Sequence, residues 1–291
     1  MQARDNFSPS SVDHYAFRGR TFYVKRDDLT DPLLSGNKYR KLHHLIEQPA
    51  STLQEVWSHG GLQSNAMLAM AALCQRKGWQ FHYLAKVARH VSQNPVGNLA
   101  LALDLGMQLH EVAVDVYEQK LQSLRQLSQP GTLFLPQGGA DPLAQQGIAR
   151  LAQEIVDWQC EQDIETLAVV TPAGTGTTAF YLAHALPTLQ VLTTPMVADA
   201  DDLRMQMGVL GSIPENLTIL TQQKRYRFAA PYPEFLQLYE ALLHAGIEFD
   251  LIYGVRMWHT LLHHLSDISA EILYVHSGGL TGNATMLTRY R

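Results

Sequence analysis

Four glycine-marked turns hold the residues whose types and spacing could do chemistry. In SGNKYRKL, residues 35–42, Gly36 and Asn37 lead into Lys38 at the start of a helical pattern. A lysine there opposes the helix macrodipole, which favours anions at an N-terminus. A lysine amine can instead serve covalent catalysis as an imine with a carbonyl compound, and on spacing alone Lys41 is an equal candidate. In HGGLQSNA, residues 59–66, two glycines let backbone approach a ligand, and Ser64 or Asn65 can cap the next helix while facing a pocket. In PAGTGTTAF, residues 172–180, Gly174 and Gly176 free the backbone while Thr175, Thr177 and Thr178 offer hydroxyls at a helix start. Backbone N–H groups in such a place bind phosphate. The segment is neither GxxxxGK[ST] nor GxGxxG, so a single phosphate monoester fits it better than a nucleotide. The fourth turn, YVHSGGLTGN at residues 274–283, would project Ser277 where a strand ends.

The elements that must position these turns alternate along the chain. TFYVKRDD reads as a strand, and KYRKLHHLIEQ as a helix with Leu42, Leu45 and Ile46 on one face. STLQEVWSHGG runs as a strand into a glycine turn; SNAMLAMAALCQRKG follows as a helix that Gly78 stops. FHYLAKV, QLHEVAV, TLAVVTPAG, VLTTPMV and EILYVHSGG are further strands. NPVGNLALALDLG, GIARLAQEIVDWQCEQ, TGTTAFYLAHALP, EFLQLYEALLHAG and RMWHTLLHHL are helices between them. The alternation predicts an α/β protein with mostly parallel sheets flanked by helices, and ligand sites at the carboxyl ends of strands. The length of 291 residues suits two such sheets.

Composition narrows the function classes. A net charge of −5 gives no basic surface for nucleic acid or an anionic membrane. No run of roughly 18 apolar residues could span a bilayer, and MQARDNFSPSSVDHY lacks the apolar core of a signal peptide. Cys74 and Cys160 lack CxxC spacing and read as two unpaired thiols. These features imply a soluble cytoplasmic protein. The pairs His43–His44 and His263–His264 are adjacent on helices, so their side chains diverge and no metal is expected. His59, beside a glycine turn, reads as structural.

Taken together, SGNKYRKL, GGLQSN, PQGGADPLAQQGIARLAQEI, the Thr/Gly loop and HSGG resemble the 1-aminocyclopropane-1-carboxylate (ACC) deaminase and D-cysteine desulfhydrase family, in order, from about residue 20 to residue 283. The resemblance implies the tryptophan-synthase β-like fold. A large pyridoxal 5′-phosphate (PLP) binding domain would comprise residues 1–42 and 150–291, with a small domain at 43–149. It implies that Lys38 carries PLP as an imine and later moves protons, that Asn65 bonds the cofactor's phenolic oxygen, and that Ser64 faces the substrate carboxylate and acts catalytically as a base or nucleophile-activating group. Gly174, Thr175, Gly176 and Thr177 would cradle the phosphate, and Tyr232 and Tyr253 would lie over the reaction centre as acid or base. The implied activity is that of a lyase or hydrolase taking a small amino acid to a 2-oxo acid and ammonia, in a homodimer. β-Replacement and non-catalytic binding of PLP or an amino acid are the alternatives.

The chain also departs from the family pattern. Where deaminases carry Glu and desulfhydrases Thr after the tyrosine matching Tyr253, this chain has Gly254, leaving Ser277 as the expected partner of the pyridine nitrogen. That substitution leans towards β-elimination, with D-cysteine-like substrates ahead of ACC. Ser35 replaces a glycine, Arg256 replaces a lysine, and Ala66, Met67 and Leu68 make the wall after Asn65 more apolar.

Overall fold

The computed structural model describes residues 9–34, 36–197 and 199–291, so Ser35 lies outside the described residues. Ten strands form two sheets: β1 (Val12–Phe17), β2 (Arg20–Lys25), β3 (Glu55–His59), β4 (Gln80–Lys86), β5 (Gln108–Val112), β6 (Thr132–Phe134), β7 (Leu167–Val170), β8 (Gln190–Thr193), β9 (Leu217–Ile219) and β10 (Glu271–Val275). One sheet runs β1-β2-β10-β7-β8-β9 and the other β5-β4-β3-β6. All pairings are parallel except β1 with β2, which is antiparallel. The α/β, two-sheet expectation holds.

Burial on both faces explains the strand sequences. Leu167, Ala168, Val169 and Val170 of β7 are all buried, as parallel strands covered by helices require. On one side an aromatic core gathers around Trp258, whose ring stacks on Tyr274 with centroids 4.9 Å apart. Helix Ala144–Glu161 packs on the other side through Ile148, Leu151, Ala152 and Ile155, an i, i+3, i+4, i+7 stripe. The four-stranded sheet buries helix Asn65–Lys77, which Ser64 caps and left-handed Gly78 ends.

Three contacts fix the short helix Asn37–Lys41, which carries Lys38. Gly36, at φ 64°, lies so close to the Ser277 backbone that a Cβ would fall 2.0 Å from its carbonyl oxygen. Gly147 lets helix Ala144–Glu161 approach equally near, since a Cβ there would lie 2.0 Å from the Arg40 carbonyl oxygen. Beneath them Arg40, fully buried, donates to Asp27 at 2.7 and 2.9 Å and to Glu154 at 2.5 and 2.8 Å.

The single helix expected over KYRKLHHLIEQ is two, Asn37–Lys41 and His43–Glu47, because Leu42 leaves helical geometry at φ −89°, ψ 5°. Strands β1, β6 and β9 and helices Val114–Arg125 and Ala200–Gly208 were not anticipated from the sequence, and Val114, read as the end of a strand, opens a helix instead. His43 and His44 are buried, and Cys74 and Cys160 are free thiols.

Candidate active site

The turns predicted from sequence converge on one narrow pocket of about 170 Å³ between the sheets. Lys38, Ser64, Asn65, Gly174, Thr175, Gly176, Thr177, Tyr253 and Ser277 all line it. Tyr232 does not. It faces an adjoining cavity, where its hydroxyl accepts from the Arg227 N–H at 3.0 Å, so it is not brought together with the other candidates.

At one wall, Lys38 Nζ donates to Asn37 Oδ1 at 2.9 Å. Burial pulls its pKa down from 10.5 to about 8, partly offset by the negative charge of Asp250. The shift raises the neutral fraction near pH 7 to about one tenth, which makes this amine a better nucleophile than an ordinary lysine. Lys41, on the same helix, donates to the Gly138 carbonyl at 3.2 Å, and its pKa falls well below the ordinary value through burial and the neighbouring Lys38. Gly138 in turn lies against Thr175, so the two lysines face different ends of the pocket.

At the far end, β7 runs into the Thr/Gly loop. Gly176, at φ 78°, opens helix Thr177–Ala185, and a Cβ there would strike Met207 at 2.7 Å. The Thr175 and Thr177 hydroxyls sit 2.9 Å apart, and Thr178 Oγ1 is buried without a partner. Clustered hydroxyls, an orphaned donor and the uncompensated Lys41 ammonium form an environment that favours an anion.

Opposite lies the start of helix Asn65–Lys77. Ser64 Oγ accepts from the Met67 N–H at 3.3 Å, and Asn65 Oδ1 accepts from Asn98 at 2.8 Å. Gly279 allows close approach here, since a Cβ would meet the Asn65 amide nitrogen at 2.4 Å. Tyr253 closes the pocket over Gly174, and burial, then the nearby Asp250, raises its pKa, so the phenol is protonated at neutral pH.

Asp250 was not anticipated. Its carboxylate is buried and accepts from the N–H groups of Ile252, Tyr253 and Gly254 at 3.2, 2.7 and 2.8 Å. A Cβ on Gly254 would fall 2.9 Å from Asp250 Oδ2, so this carboxylate takes the space a side chain at 254 would enter. The one available signal was an aspartate three residues ahead of a helix-opening tyrosine, the spacing of a side-chain cap.

The profile of the pyridoxal-phosphate dependent enzyme family matches residues 12–227. The chain belongs to that family. A Thermotoga maritima protein with a provisional 1-aminocyclopropane-1-carboxylate deaminase name is 27% identical over 287 residues, covering 91% of this chain and 90% of that protein. The D-cysteine desulfhydrase of Salmonella typhi is 27% identical over 299 residues, covering 90% and 88%. Among solved structures, an ACC deaminase homologue superposes with a TM-score of 0.74 at 20% identity, over 97% of this chain and 94% of the other. A threonine deaminase gives 0.67 at 16% identity, over 93% and 92%. The recurring desulfhydrase name describes a carbon–sulfur lyase, and the hydrolase alternative is set aside.

The chain is therefore a PLP-dependent enzyme, and the pocket fits the cofactor in chemical terms. It pairs a nucleophilic lysine at one end with a hydroxyl-rich, cation-bearing phosphate cradle at the other. Among the described residues no cluster of His, Cys, Asp or Glu is placed to hold a metal ion, and no helix is long and apolar enough to cross a membrane.

Proposed function

We propose that this protein is a PLP-dependent lyase that eliminates a β-substituent from a small amino acid, D-cysteine-like in type, releasing a 2-oxo acid and ammonia. The observation that carries this reading is the convergence of Lys38, Lys41 and the Thr175–Thr178 loop on one pocket, with the capped helix start at Ser64 and Asn65 facing them. When bound, PLP supplies an electron sink for negative charge that develops at the substrate α-carbon.

The chain's own residues would do the rest. Lys38 anchors the cofactor and moves a proton at the α-carbon. Gly174 to Thr177 hold the phosphate through backbone N–H and hydroxyl groups, with Lys41 contributing the positive charge. Asn65 and Ser64 orient the phenolic oxygen and the substrate carboxylate. Tyr253 supplies a protonated phenol above the reacting atoms, and Ser277 offers only a hydroxyl to the pyridine nitrogen. A hydroxyl partner withdraws less charge than a carboxylate, which favours substrates with a good leaving group over the ring opening of ACC. The division into residues 43–149 and the remainder, and a homodimeric assembly, are part of the same reading.

The test is turnover of D-cysteine by the purified, PLP-loaded protein. Sulfide, pyruvate and ammonia should appear in equal amounts and vanish in Lys38→Ala. A wild type that takes up PLP yet releases neither sulfide nor pyruvate from any small amino acid refutes the lyase reading. Suppression of pyruvate by added thiol would turn it into a β-replacement enzyme.

A further inference from the structure

A second cavity, of about 820 Å³, adjoins the cofactor pocket, and Val197 lines both. Its size falls within the roughly 300–1,000 Å³ of small-molecule sites. Arg256 lines it while being only 4% exposed. Its guanidinium donates to the Met196 carbonyl at 2.7 Å and, through Nη2 and Nε, to Gln222 Oε1 at 2.7 and 3.2 Å. The Gln222 amide is itself held by the Pro195 carbonyl at 2.6 Å and Thr194 Oγ1 at 3.2 Å, so its oxygen points at Arg256 and holds that side chain in place. The guanidinium also lies 5.5 Å from the centre of the Tyr226 ring.

What Arg256 lacks is an acid. Among the described residues no carboxylate lies within ion-pair distance of it. Neutral oxygens orient a guanidinium without cancelling its charge, and arginine cannot relieve the cost by losing a proton. A buried, unpaired charge of this kind is expensive unless an opposite charge joins it. Nor do the surroundings supply one. Lys224, at the rim, is already paired with Glu234 at 2.7 Å. The Asp199 carboxylate is turned to cap helix Ala200–Gly208, accepting from the Asp201 and Asp202 N–H groups at 3.1 and 3.0 Å. Arg225 and Arg227 add further positive charge to the lining. Tyr226 and Tyr232 provide apolar ring faces, packed edge to face with centroids 4.9 Å apart.

We infer that this cavity binds the carboxylate or phosphate group of a small anion, with Arg256 as the anchor and the two tyrosines walling its apolar body. The anion has two possible sources: a free ligand, or the distal acid group of a substrate whose amino-acid end occupies the cofactor pocket. The second source is structurally direct. Tyr253 and Arg256 stand three residues apart at the start of one helix, and Phe228 of the second cavity packs edge-on against Tyr253 at 5.8 Å. Only that source rests on the proposed lyase activity.

The test uses the PLP-loaded enzyme and titrates succinate and inorganic phosphate at constant ionic strength, with chloride as the reference. Wild type should bind one of them saturably, Arg256→Gln at least tenfold more weakly, and Arg256→Lys in between. Unchanged cofactor absorbance in both variants shows that the neighbouring pocket is intact. If O-phosphoserine or S-carboxymethylcysteine, each joining a β-leaving group to a distal acid, is turned over with a KM that rises at least tenfold in Arg256→Gln while D-cysteine kinetics hold, the anion belongs to the substrate. If succinate binds without competing with amino acids, it belongs to a separate ligand. Binding of succinate and phosphate by wild type no tighter than chloride overturns the inference, whatever the variants do, and so does equal affinity in Arg256→Gln. Failure of D-cysteine turnover alone leaves the site standing, which separates the two readings.

Discussion

Among the described residues the buried lysines and arginines at the site and behind it fall into two groups, and only one forms ion pairs. Behind the helix that carries Lys38, Arg40 and Lys25 are almost fully buried; Arg40 pairs with Asp27 and Glu154, and Lys25 Nζ lies 2.6 Å from Glu154. On the cavity side, Lys38, Lys41 and Arg256 meet carbonyl and amide oxygens and form no ion pair among the described residues. The paired group holds elements together: residue 27 follows β2, residue 40 belongs to the Lys38 helix, and residue 154 lies on helix Ala144–Glu161. The unpaired group lines the cavities. Charge satisfied within the chain is architecture, and charge left unsatisfied marks where something else binds. The lysines and the arginine bear that state differently. The lysines give up part of their protonation through depressed pKa values, whereas Arg256 keeps its charge.

This contrast predicts opposite phenotypes. Lys38→Ala should lower turnover by at least about 10³-fold, a loss of roughly 4 kcal/mol in transition-state stabilisation. It should leave the melting temperature of the cofactor-free protein equal to wild type or higher, because a costly buried amine is gone. Steady-state kinetics beside a thermal melt would check both halves; a strongly destabilised Lys38→Ala breaks the contrast. Arg40→Met should do the reverse. It leaves Asp27 buried without its cation and Glu154 with Lys25 alone, and should cost about 3–5 kcal/mol of stability. Whatever folded fraction remains should still take up PLP, read by denaturant titration and cofactor absorbance.

A smaller effect tests the departure at position 254. Gly254→Glu restores the residue of the deaminases the chain resembles, but its Cβ must displace the Asp250 carboxylate, 2.9 Å away, or Phe249, 3.1 Å away. Overpacking of this kind should cost about 1–3 kcal/mol. ACC deaminase activity should not appear in the variant. If the variant gained that activity at wild-type stability, the space at 254 would be freer than the geometry allows.

How much of this was legible in the sequence depended on how local each feature is. Most of the parallel strands, the Ser64 cap and the Thr/Gly loop are written in consecutive residues and emerged with their element types correct, whereas the three-residue strands β6 and β9 are too short to carry a pattern. The break at Leu42 was hidden because apolar spacing continues smoothly across it. Asp250 was missed because its role lies in three backbone N–H groups and a void at Gly254, neither of which alters the hydrophobic pattern. Arg256 read only as a lysine replacement. Its partners Met196, Gln222 and Tyr226 come from three separated segments, and one-dimensional patterning cannot see that no carboxylate joins them. Tyr232 shows the converse: a motif position carried over in order lines the neighbouring cavity rather than the one that Lys38 lines.

The finest test of the contrast is the pH dependence of stability in the cofactor-free protein. Unfolded Lys38 holds its proton up to the ordinary 10.5, while the folded side chain releases it near 8. Between those values the unfolded chain binds more protons, so stability must rise with pH, by at most about 1.4 kcal/mol per pH unit for each such group. Below pH 8 both states are protonated and the burial penalty is felt in full. Lys41 shifts in the same direction, so wild type should show a steeper rise than Lys38→Met, which keeps only the second group. Tyr83, Tyr253 and Tyr274 act oppositely once unfolded tyrosine begins to ionise near pH ~10, because burial raises their pKa values in the folded state. Between about pH 8 and 9.5 the buried Cys74 thiol, pushed up from 9.0 to about 12, opposes the rise in both proteins alike, so the readout is the difference between their slopes by denaturant unfolding at constant ionic strength. The paired cluster supplies the control, since Arg40 stays protonated throughout that window in both states. Equal slopes in wild type and Lys38→Met would mean that the Lys38 ammonium is as well accommodated as those charges, and the division between paired and unpaired cations would fail at its most reactive member.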